Sequence, residues 1–471
     1  MRGQRDGTLL ARLTSDVEAV AGLPANVGAP LAAAVTITCL IQILLLWAMP
    51  LPGVAELVVR AAGLVRARRA HCRARAHLRT AAEARAALRT VLLGSRAAGL
   101  ASAPNVMDID FMDIWGKCDD MLVHQDEPYN AETPPGALAA QITSLDAFYG
   151  RNHAPIPRID SASWRLRVEG LVDRPLELSM DDLRHFTERT VVATLQCAGN
   201  RRADLIEVRD IPGQVPWGPG AISTAKWTGA SLADVLAEAG AQPEAAHIAF
   251  TGADMSQQAA PPQPFGGSIP VAKATSSEVL LAWAMNDQEL PAAHGAPLRV
   301  IVPGWIGARS VKWLQRISAE AEPTDNYFQA EYSVLPPEAD PEAVGPGDGI
   351  TLGPVAIHCA ILRPGKNDHL PSGPTEVSGF AFAGDDRTVA RVDVSVDHGS
   401  TWTRTDLDPP ENPWTWQHWR AVVTLPPGEA ELIARAWDST AAVQAESPAT
   451  VWNPRGYANN AAAHLHITCR P

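Results

Sequence analysis

The chain has 471 residues, of which 46% are apolar and 14 are tryptophans, so it is globular, with enough apolar sequence for two or three buried cores. Its six cysteines lie far apart without a CxxC pair, which excludes a disulfide framework and a structural zinc site of the usual spacing. The net charge is −13 and is divided unevenly along the chain.

Two oppositely charged regions make up this total. Residues 1–105 contain 13 arginines and 5 acidic residues, whereas the remaining chain contains 26 basic and 47 acidic residues, a net charge of −21. A body this acidic repels nucleic acid and anionic membrane surfaces, so we expect no such partner for it. Because the global field opposes an anionic ligand, any cluster of arginines in this body is informative.

The first 105 residues differ from the rest of the chain. Residues 19–55 carry no charge, and residues 31–49 are apolar over a length that could span a membrane. An arginine- and alanine-rich stretch follows, and three interpretations stay open: an arginine-rich targeting region, the basic flank of an anchor, or sequence preceding a true start at Met107. Membrane contact is expected only if residues 31–49 are a real anchor, and a mitochondrial or other organellar location is favoured.

Residues 106–345 show a mixed pattern that predicts an α+β domain. The segments WRLRVEGLV (residues 164–172) and LRVIVPG (residues 298–304) are typical of strands. The segment SLADVLAEAG (residues 231–240) predicts a helix that begins at a capping serine and ends at glycine. The proline-rich residues 259–267 indicate a long loop, and residues 335–349 indicate an interdomain linker.

Residues 346–471 are predicted to form an immunoglobulin-like β-sandwich. The segment VARVDVSVDHGSTW (residues 389–402) places Val392, Val394 and Val396 on one face, and a glycine-containing turn follows. Three further strand-like segments begin at residues 376, 420 and 431, a spacing typical of a sandwich.

The segment TLQCAGNRR (residues 194–202) combines a cysteine, a small turn and two arginines. Guanidinium groups near a thiol favour the thiolate, so Cys197 could be an anionic sulfur in an electropositive pocket that binds a metal or an anion. The alternative is a buried free cysteine before a turn, with both arginines in solvent.

Four other stretches concentrate polar and basic residues where loops are expected. Taken singly, each is compatible with solvated arginines or a capped turn, so only their joint occurrence is informative. They are FYGRNHAPIP (residues 148–157), WGPGAISTAKW (residues 217–227), HGAPLRVIVPGWIGARSVKW (residues 294–313) and NPRGYANN (residues 453–460).

Together with VVATLQCAGNRR and RVDVSVDHGSTW, these stretches resemble the sulfite oxidase family of molybdenum-cofactor enzymes, in family order, from about Asp126 to the C-terminus. The resemblance implies a molybdopterin-binding α+β domain followed by an immunoglobulin-like domain that forms a homodimer. The implied activity is oxidation of sulfite to sulfate by oxygen-atom transfer at molybdenum, in which the protein supplies binding, orientation and charge.

The resemblance also implies roles for individual residues. Cys197 would be the thiolate ligand of molybdenum, and Arg151, Arg202, Trp217 and Arg455 would form the pocket for the substrate anion. The residues that would hold the pterin and its phosphate are Arg151, Asn152, His153, His294, Arg299, Arg309, Ser310 and Lys312.

The sequence departs from the family pattern at Trp283, where the family has a tyrosine that we place near the metal. An indole N–H donates a hydrogen bond but has no ionisable hydroxyl, so we expect altered catalysis and a response of kcat/KM to Trp283→Tyr. The loop between Cys197 and Trp217 is also one residue longer than the family pattern, which weakens the assignment of Trp217.

The expected electron acceptor is oxygen, as in the haem-free plant-like branch of the family. The only histidines before residue 110 are His71 and His77, in a stretch without a haem-binding pattern, so haem is not expected. The chain ends in ITCRP, which is not a peroxisomal tripeptide, so that location is less well supported than the acceptor.

Two alternatives stay open. One is a molybdenum domain like that of nitrate reductase, against which Gln196 and the segment GARSVKW favour the sulfite side of the family. The other is a non-catalytic dimeric relative that binds the cofactor, an interpretation motivated by Trp283 and the unusual first 105 residues.

Overall fold

The computed structural model describes residues 115–340, 348–366 and 368–470. The predictions for residues 1–105, including the apolar residues 31–49 and a start at Met107, therefore lie outside the described residues. Within the described part of the chain, no helix is long and apolar enough to cross a membrane.

The first part of the described chain is α+β, with strands, short helices and three 3₁₀ turns (Ala137–Ala139, Ala292–His294 and Gly307–Arg309). In chain order its elements are β1 (Leu122–Gln125), β2 (Asn130–Glu132), β3 (Leu166–Gly170), β4 (Leu176–Leu178), α1 (Met180–Arg184), β5 (Glu188–Gln196), α2 (Arg202–Val208), β6 (Ile222–Ser231), α3 (Leu232–Ala239), β7 (His247–Ser256), β8 (Gln263–Pro270), α4 (Val271–Ala274), β9 (Leu280–Met285), β10 (Gln288–Glu289), β11 (Arg299–Ile301), β12 (Leu314–Glu320), α5 (Tyr327–Glu331), β13 (Ser333–Val334) and β14 (Ile350–Thr351).

Two five-stranded sheets organise this part. One has the order β10-β9-β6-β5, with β11 also paired to β9, and the other has the order β4-β3-β12-β7-β8. All pairs are antiparallel except β3 with β12. Strands β6 and β9 approach so closely at Gly229 that a Cβ there would lie 2.0 Å from the carbonyl oxygen of Leu281, so only glycine fits.

The predicted helix at residues 231–240 is confirmed as α3. Gly240 ends it with φ of +68°, a left-handed conformation that glycine adopts without strain. Ser231 stands at the N-terminal cap position, but its side chain makes no capping hydrogen bond. The helix buries Leu232, Val235 and Leu236 against the sheets.

The second part is an immunoglobulin-like β-sandwich, as predicted. Sheets of order β15-β17-β21-β20 and β16-β23-β22-β18-β19 contribute alternate residues to one apolar core. A fourth 3₁₀ turn (Pro448–Thr450) precedes the last strand. The strands are β15 (His358–Arg363), β16 (His369–Pro371), β17 (Gly373–Phe382), β18 (Val389–Ser395), β19 (Thr403–Arg404), β20 (Asp406–Leu407), β21 (Gln417–Leu425), β22 (Gly428–Asp438) and β23 (Ala463–Arg470).

The predicted face of residues 389–402 is confirmed, because Val392 and Val394 are fully buried and Val396 packs against the same core. The opposite face is less exposed than alternation alone suggests. Asp393 is buried there under Arg391, whose guanidinium donates hydrogen bonds to both carboxylate oxygens.

Candidate active site

A partly open cavity lies in the α+β part. Its walls come from the segment before β3, the turn after β5, strand β7, the segments on either side of β11 and the residue after α5. Eight sequence-predicted residues line it: Arg151, Asn152, His153, Cys197, His294, Arg299, Ser310 and Lys312. The fold thus brings together side chains that are up to 161 positions apart in sequence, from Arg151 to Lys312.

Cys197 lies in the turn that follows β5. Its backbone N–H donates to the carbonyl of Ala221 (2.9 Å), and the N–H of Gly199 donates to its Sγ (3.4 Å). Arg201 has a left-handed conformation, with φ of +61°, and α2 begins at the next residue, Arg202. The tight turn therefore holds a buried thiol in the cavity wall.

Arg299 brings a buried positive charge to the cavity. Its Nη1 donates to the carbonyl of His294 (2.9 Å) and its Nη2 to the carbonyl of Ser310 (3.0 Å). Its Nε has no hydrogen-bond partner among the described residues. Burial lowers the pKa of Arg299 to about 10, so the side chain is still cationic at neutral pH.

Lys312 lies beside it. Its ammonium donates to Oδ1 of Asn152 and to the carbonyl of Ala293 (3.2 Å), and it lies 4.3 Å from the ring centroid of Trp313. Burial, together with the charge of Arg299, holds the pKa of Lys312 well below its usual range. An anion bound next to this amine would favour its charged form.

The two histidines of the cavity are neutral hydrogen-bonding groups. His294 Nε2 lies 2.6 Å from the ammonium of Lys117, and His153 Nε2 lies 2.7 Å from the hydroxyl of Tyr332. The His153 ring also stacks on Phe265 at 4.5 Å between centroids. Burial, and then the nearby cations, hold both histidine pKa values well below the usual range.

Three polar side chains that line the cavity, Tyr149, Asp254 and Tyr332, were not among the residues predicted from the sequence. Burial raises both tyrosine pKa values well above the usual range, so both hydroxyls stay protonated. Burial also raises the pKa of Asp254 to about 7. Asp254 could have been predicted as a site residue, because it is an acid within the apolar strand β7. No motif marks Tyr332, which precedes the proline-rich segment.

Three residues predicted for the anion pocket lie outside the lining. Arg202 is buried and donates from Nε to the carbonyls of Arg455 (3.2 Å) and Gly456 (3.1 Å). Arg455 reaches from the sandwich into the α+β part and pairs with Glu331, with 3.4 Å between Nη2 and Oε2. Trp217 is fully buried, and its Nε1 has no partner within the described chain.

Arg309 is also absent from the lining. The 3₁₀ turn that contains it directs its guanidinium to α5 and β14, where Nη2 donates to the carbonyls of Gln329 (3.4 Å) and Leu352 (3.2 Å). The structure therefore makes Arg309 a link between backbone segments, whereas the sequence analysis placed it against the pterin. Ser310, the next residue, does line the cavity, and its Oγ accepts from the N–H of Val302 (3.0 Å).

Trp283, which was expected near the metal, does not line the cavity that contains Cys197. Successive side chains of a strand point to opposite faces of a sheet, and Ala282 on β9 packs in the cluster that contains Cys197. Trp283 therefore points to the other side, where it lines a separate groove with Arg165 and Arg184. The aromatic hydroxyls that share the cavity lining with Cys197 belong instead to Tyr149 and Tyr332.

The donor set fits a phosphate-bearing cofactor with a thiolate-bound metal. The cavity gathers Arg151, Arg299 and Lys312 around one thiol and one carboxyl whose pKa burial raises to about 7, so its charge is complementary to an anion. In the described residues, no group of three or more His, Cys, Asp or Glu is arranged to hold a metal ion. A metal bound by Cys197 would therefore take its other ligands from the cofactor.

Comparison with known proteins decides the family. Residues 153–328 match the oxidoreductase molybdopterin-binding domain, and residues 352–469 match the Mo-co oxidoreductase dimerisation domain. Sulfite oxidase of Arabidopsis thaliana is 37% identical over 362 residues, which cover 72% of this chain and 91% of that protein. The chain belongs to the sulfite oxidase family.

The chain is also similar to three further proteins, two of known sequence and one of known structure. Mitochondrial sulfite oxidase of Homo sapiens is 40% identical over 364 residues, which cover 74% of this chain and 66% of the human protein's length. Nitrate reductase [NAD(P)H] of Hordeum vulgare is more distant, with 35% identity over 395 residues, 76% of this chain and 43% of that protein. The crystal structure of the sulfane dehydrogenase SoxCD from Paracoccus pantotrophus superposes with a TM-score of 0.63 at 26% identity, over 79% of this chain and 92% of that one.

Proposed function

We propose that this protein oxidises sulfite to sulfate at a molybdenum-molybdopterin centre whose metal is bound by Cys197. The observation that carries the proposal is the buried thiol of Cys197 in a cavity lined by three basic side chains, Arg151, Arg299 and Lys312. A soft thiolate suits molybdenum, and guanidinium and ammonium groups suit oxyanions. Family membership supports the same assignment.

The cofactor would supply two-electron redox chemistry and oxygen-atom transfer. Arg299 and Lys312 would bind the anionic phosphate end, because both basic side chains line the cavity and an anion there would favour the charged form of Lys312. Asp254, His294 and Ser310 would direct the pterin by hydrogen bonding. The Oδ1 of Asp254 has no hydrogen-bond partner in the described residues, which leaves it available to such a ligand.

Sulfite would enter beside Cys197 under the positive field of Arg151 in the lining and of Arg202 behind it. The charges of Arg151 and Cys197 both act on Arg202, so the three groups are electrostatically close. The Tyr332 hydroxyl would donate a hydrogen bond to a substrate oxygen, since its raised pKa keeps it protonated. This local positive charge is needed because the body of the protein is strongly acidic.

Oxygen is the proposed electron acceptor. Sulfite, water and oxygen would give sulfate and hydrogen peroxide, so that sulfite loses two electrons and oxygen gains two electrons and two protons. The sandwich that matches the dimerisation domain supports a homodimer through residues 346–471.

The alternatives are less well supported. The matched nitrate reductase is the more distant relative, and the match covers less than half of its length. The non-catalytic alternative rested partly on Trp283, which lies outside the cavity and so gives no reason to expect an impaired site.

The test uses the purified full-length protein after molybdenum analysis. Sulfite should bleach the absorption of the oxidised metal centre, and turnover in air should yield sulfate and peroxide in equal amounts. Parallel assays with cytochrome c, and with nitrate plus reduced viologen, separate the acceptors and the rival activity. A molybdenum-loaded protein that sulfite leaves unreduced would refute the proposal.

A further inference from the structure

Glu132, at the end of β2, is a buried carboxylate. It lies close to the turn of residues 197–202, which we call the cysteine loop. Its Oε1 accepts hydrogen bonds from the N–H of Gly218 (2.5 Å), and its Oε2 from the N–H of Gly220 (2.8 Å). The Nε2 of His124 lies 2.6 Å from Oε1, and the N–H of Thr133 donates to the carbonyl of Gly220 (2.9 Å). The hydrogen bonds that Gly218 and Gly220 make with the end of β2 and with Thr133 therefore hold one side of the segment at residues 217–221.

We call residues 217–221 the bridging segment, because its other side holds the cysteine loop. Its carbonyl groups accept three backbone hydrogen bonds, each of 2.9 Å: Trp217 from Ala203, Gly218 from Arg201, and Ala221 from Cys197. In return, Ala221 N–H donates to the side chain of Asn200 (3.1 Å). The contacts therefore span the whole turn from the thiol to the start of α2.

The two glycines of this segment are required by the approach of Glu132. A Cβ at Gly218 would lie 3.0 Å from Oε2 of Glu132, and a Cβ at Gly220 would lie 2.9 Å from the same oxygen and 2.5 Å from the carbonyl oxygen of Thr133. A side chain at residue 220 would push the bridging segment away from β2 without removing the charge of Glu132.

We infer that Glu132 is a positioning residue: through the bridging segment it fixes the backbone that holds Cys197 and Arg202. Glu132 is not in the lining of the cavity, so we assign it no direct role in binding. This inference rests on the proposed function in assigning roles to Cys197 and Arg202, and the experiment below keeps the two separable.

The direction of the change in KM distinguishes positioning from a field effect. Removing a negative charge near an anion site would attract sulfite more strongly and lower KM. Glutamine keeps only one acceptor oxygen, so Glu132→Gln would lose the hydrogen bond to Gly218 or to Gly220 and let Arg202 and Cys197 shift, which raises KM and lowers kcat. A displacement of about 1 Å can cost up to about 100-fold in rate, so we expect Glu132→Gln to lower kcat/KM at least about tenfold.

The variants are Glu132→Gln and Gly220→Ala, with Glu278→Gln as the matched control. Glu278 is also a buried carboxylate, paired with Lys273 at 2.6 Å, and does not line the cavity. Each full-length variant is assayed for sulfite kcat and KM per bound molybdenum. Cofactor-free protein of each is treated with iodoacetamide, and alkylation of Cys197 is measured against the buried Cys359 in the same chain by peptide mass spectrometry.

Glu132→Gln and Gly220→Ala should both raise KM and increase alkylation of Cys197, whereas alkylation of Cys359 and the behaviour of the Glu278→Gln control should stay unchanged. Glu132→Gln with wild-type KM and wild-type alkylation of Cys197 overturns the inference, as does a lowered KM. If the wild-type protein oxidises no sulfite but alkylation rises as expected, the proposed function fails and the positioning role stands. Equal loss of Cys359 protection would show general unfolding and reject a local role.

Discussion

The cavity at Cys197 and the groove at Trp283 both gather arginine and aromatic side chains, but they differ in burial and in charge pairing. Arg299 in the cavity is buried and binds only main-chain carbonyls, leaving one N–H without a partner in the described chain. Arg184 in the groove is exposed and lies 3.3 Å from the carboxylate of Asp181. A buried cation without an acidic partner indicates an anion site, whereas an exposed ion pair is an ordinary surface feature.

One strand separates the two regions. On β9, Leu280 and Ala282 pack toward Cys197, whereas Leu281 and Trp283 pack toward the other core. A residue of suitable chemistry and nearly the right sequence position can therefore lie on the wrong side of a sheet. The following predictions test whether function resides in the cavity alone.

The largest effect is expected at the thiol. Cys197→Ser should abolish sulfite turnover, because it removes the proposed metal ligand itself. The loss should exceed the roughly 100-fold effect typical of changing a residue that only hydrogen-bonds to a metal ligand. Sulfite kcat/KM and the absorption of the oxidised metal centre measure it. Cys118→Ser, at a half-buried free cysteine outside the lining, is the control and should retain activity. Wild-type turnover by Cys197→Ser would break the assignment.

Loss of the Tyr332 hydroxyl should have the next largest effect. Removing one positioned donor typically costs about 100-fold in kcat, so Tyr332→Phe should lower sulfite kcat by about that factor while molybdenum content stays constant. Tyr327→Phe, five residues earlier and outside the cavity lining, is the matched control. Equal kinetics for the two variants would show that the cavity hydroxyl has no role.

Asp254 should make the stability of the cofactor-free protein depend on pH. Folding raises its pKa from 3.8 to about 7, so the folded state binds the proton more tightly than the unfolded chain does. The stabilising contribution is complete below pH 3.8 and is lost as the pH rises to about 7. Asp254→Asn should flatten this part of the curve of Tm against pH. An unchanged slope would place the titrating group elsewhere.

The smallest effect on catalysis is expected in the groove. Trp283→Tyr should leave sulfite kcat/KM within about twofold of wild type and lower the free energy of unfolding by about 1 kcal/mol, because Trp283 packs against a core but lines no part of the cavity. A tenfold change in kcat/KM would restore the original expectation for Trp283 and contradict the separation of the two regions.

Local patterns predicted much of the fold. Helix α3 follows from its apolar spacing and terminal glycine, and the alternation of valines in β18 follows from the two-residue repeat of a strand. Alternation did not predict that Asp393 on the polar face of β18 is buried. Its burial depends on the conformation of the Arg391 side chain, which lies over the carboxylate and donates a hydrogen bond to it.

The motif residues Cys197, Arg299 and Lys312 line the cavity, so their predicted roles stay compatible with the structure. Arg309 belongs to the same glycine-rich segment as Lys312, but its side chain binds backbone carbonyls outside the lining. Tyr332 was missed because nothing in its neighbouring sequence distinguishes it from a residue preceding a linker.

The sequence by itself determined the two-part organisation, the family and the cysteine motif, because these depend on residue order and on short-range periodicity. Only the tertiary structure decided which basic side chains enter the cavity and which bind the main chain. It also decided that Tyr332, rather than Trp283, shares the cavity lining with Cys197, and that Glu132 binds Gly218 and Gly220 beside the cysteine loop. These features depend on which face of a strand a side chain occupies and on contacts between distant segments, and neither is encoded within one short stretch of sequence.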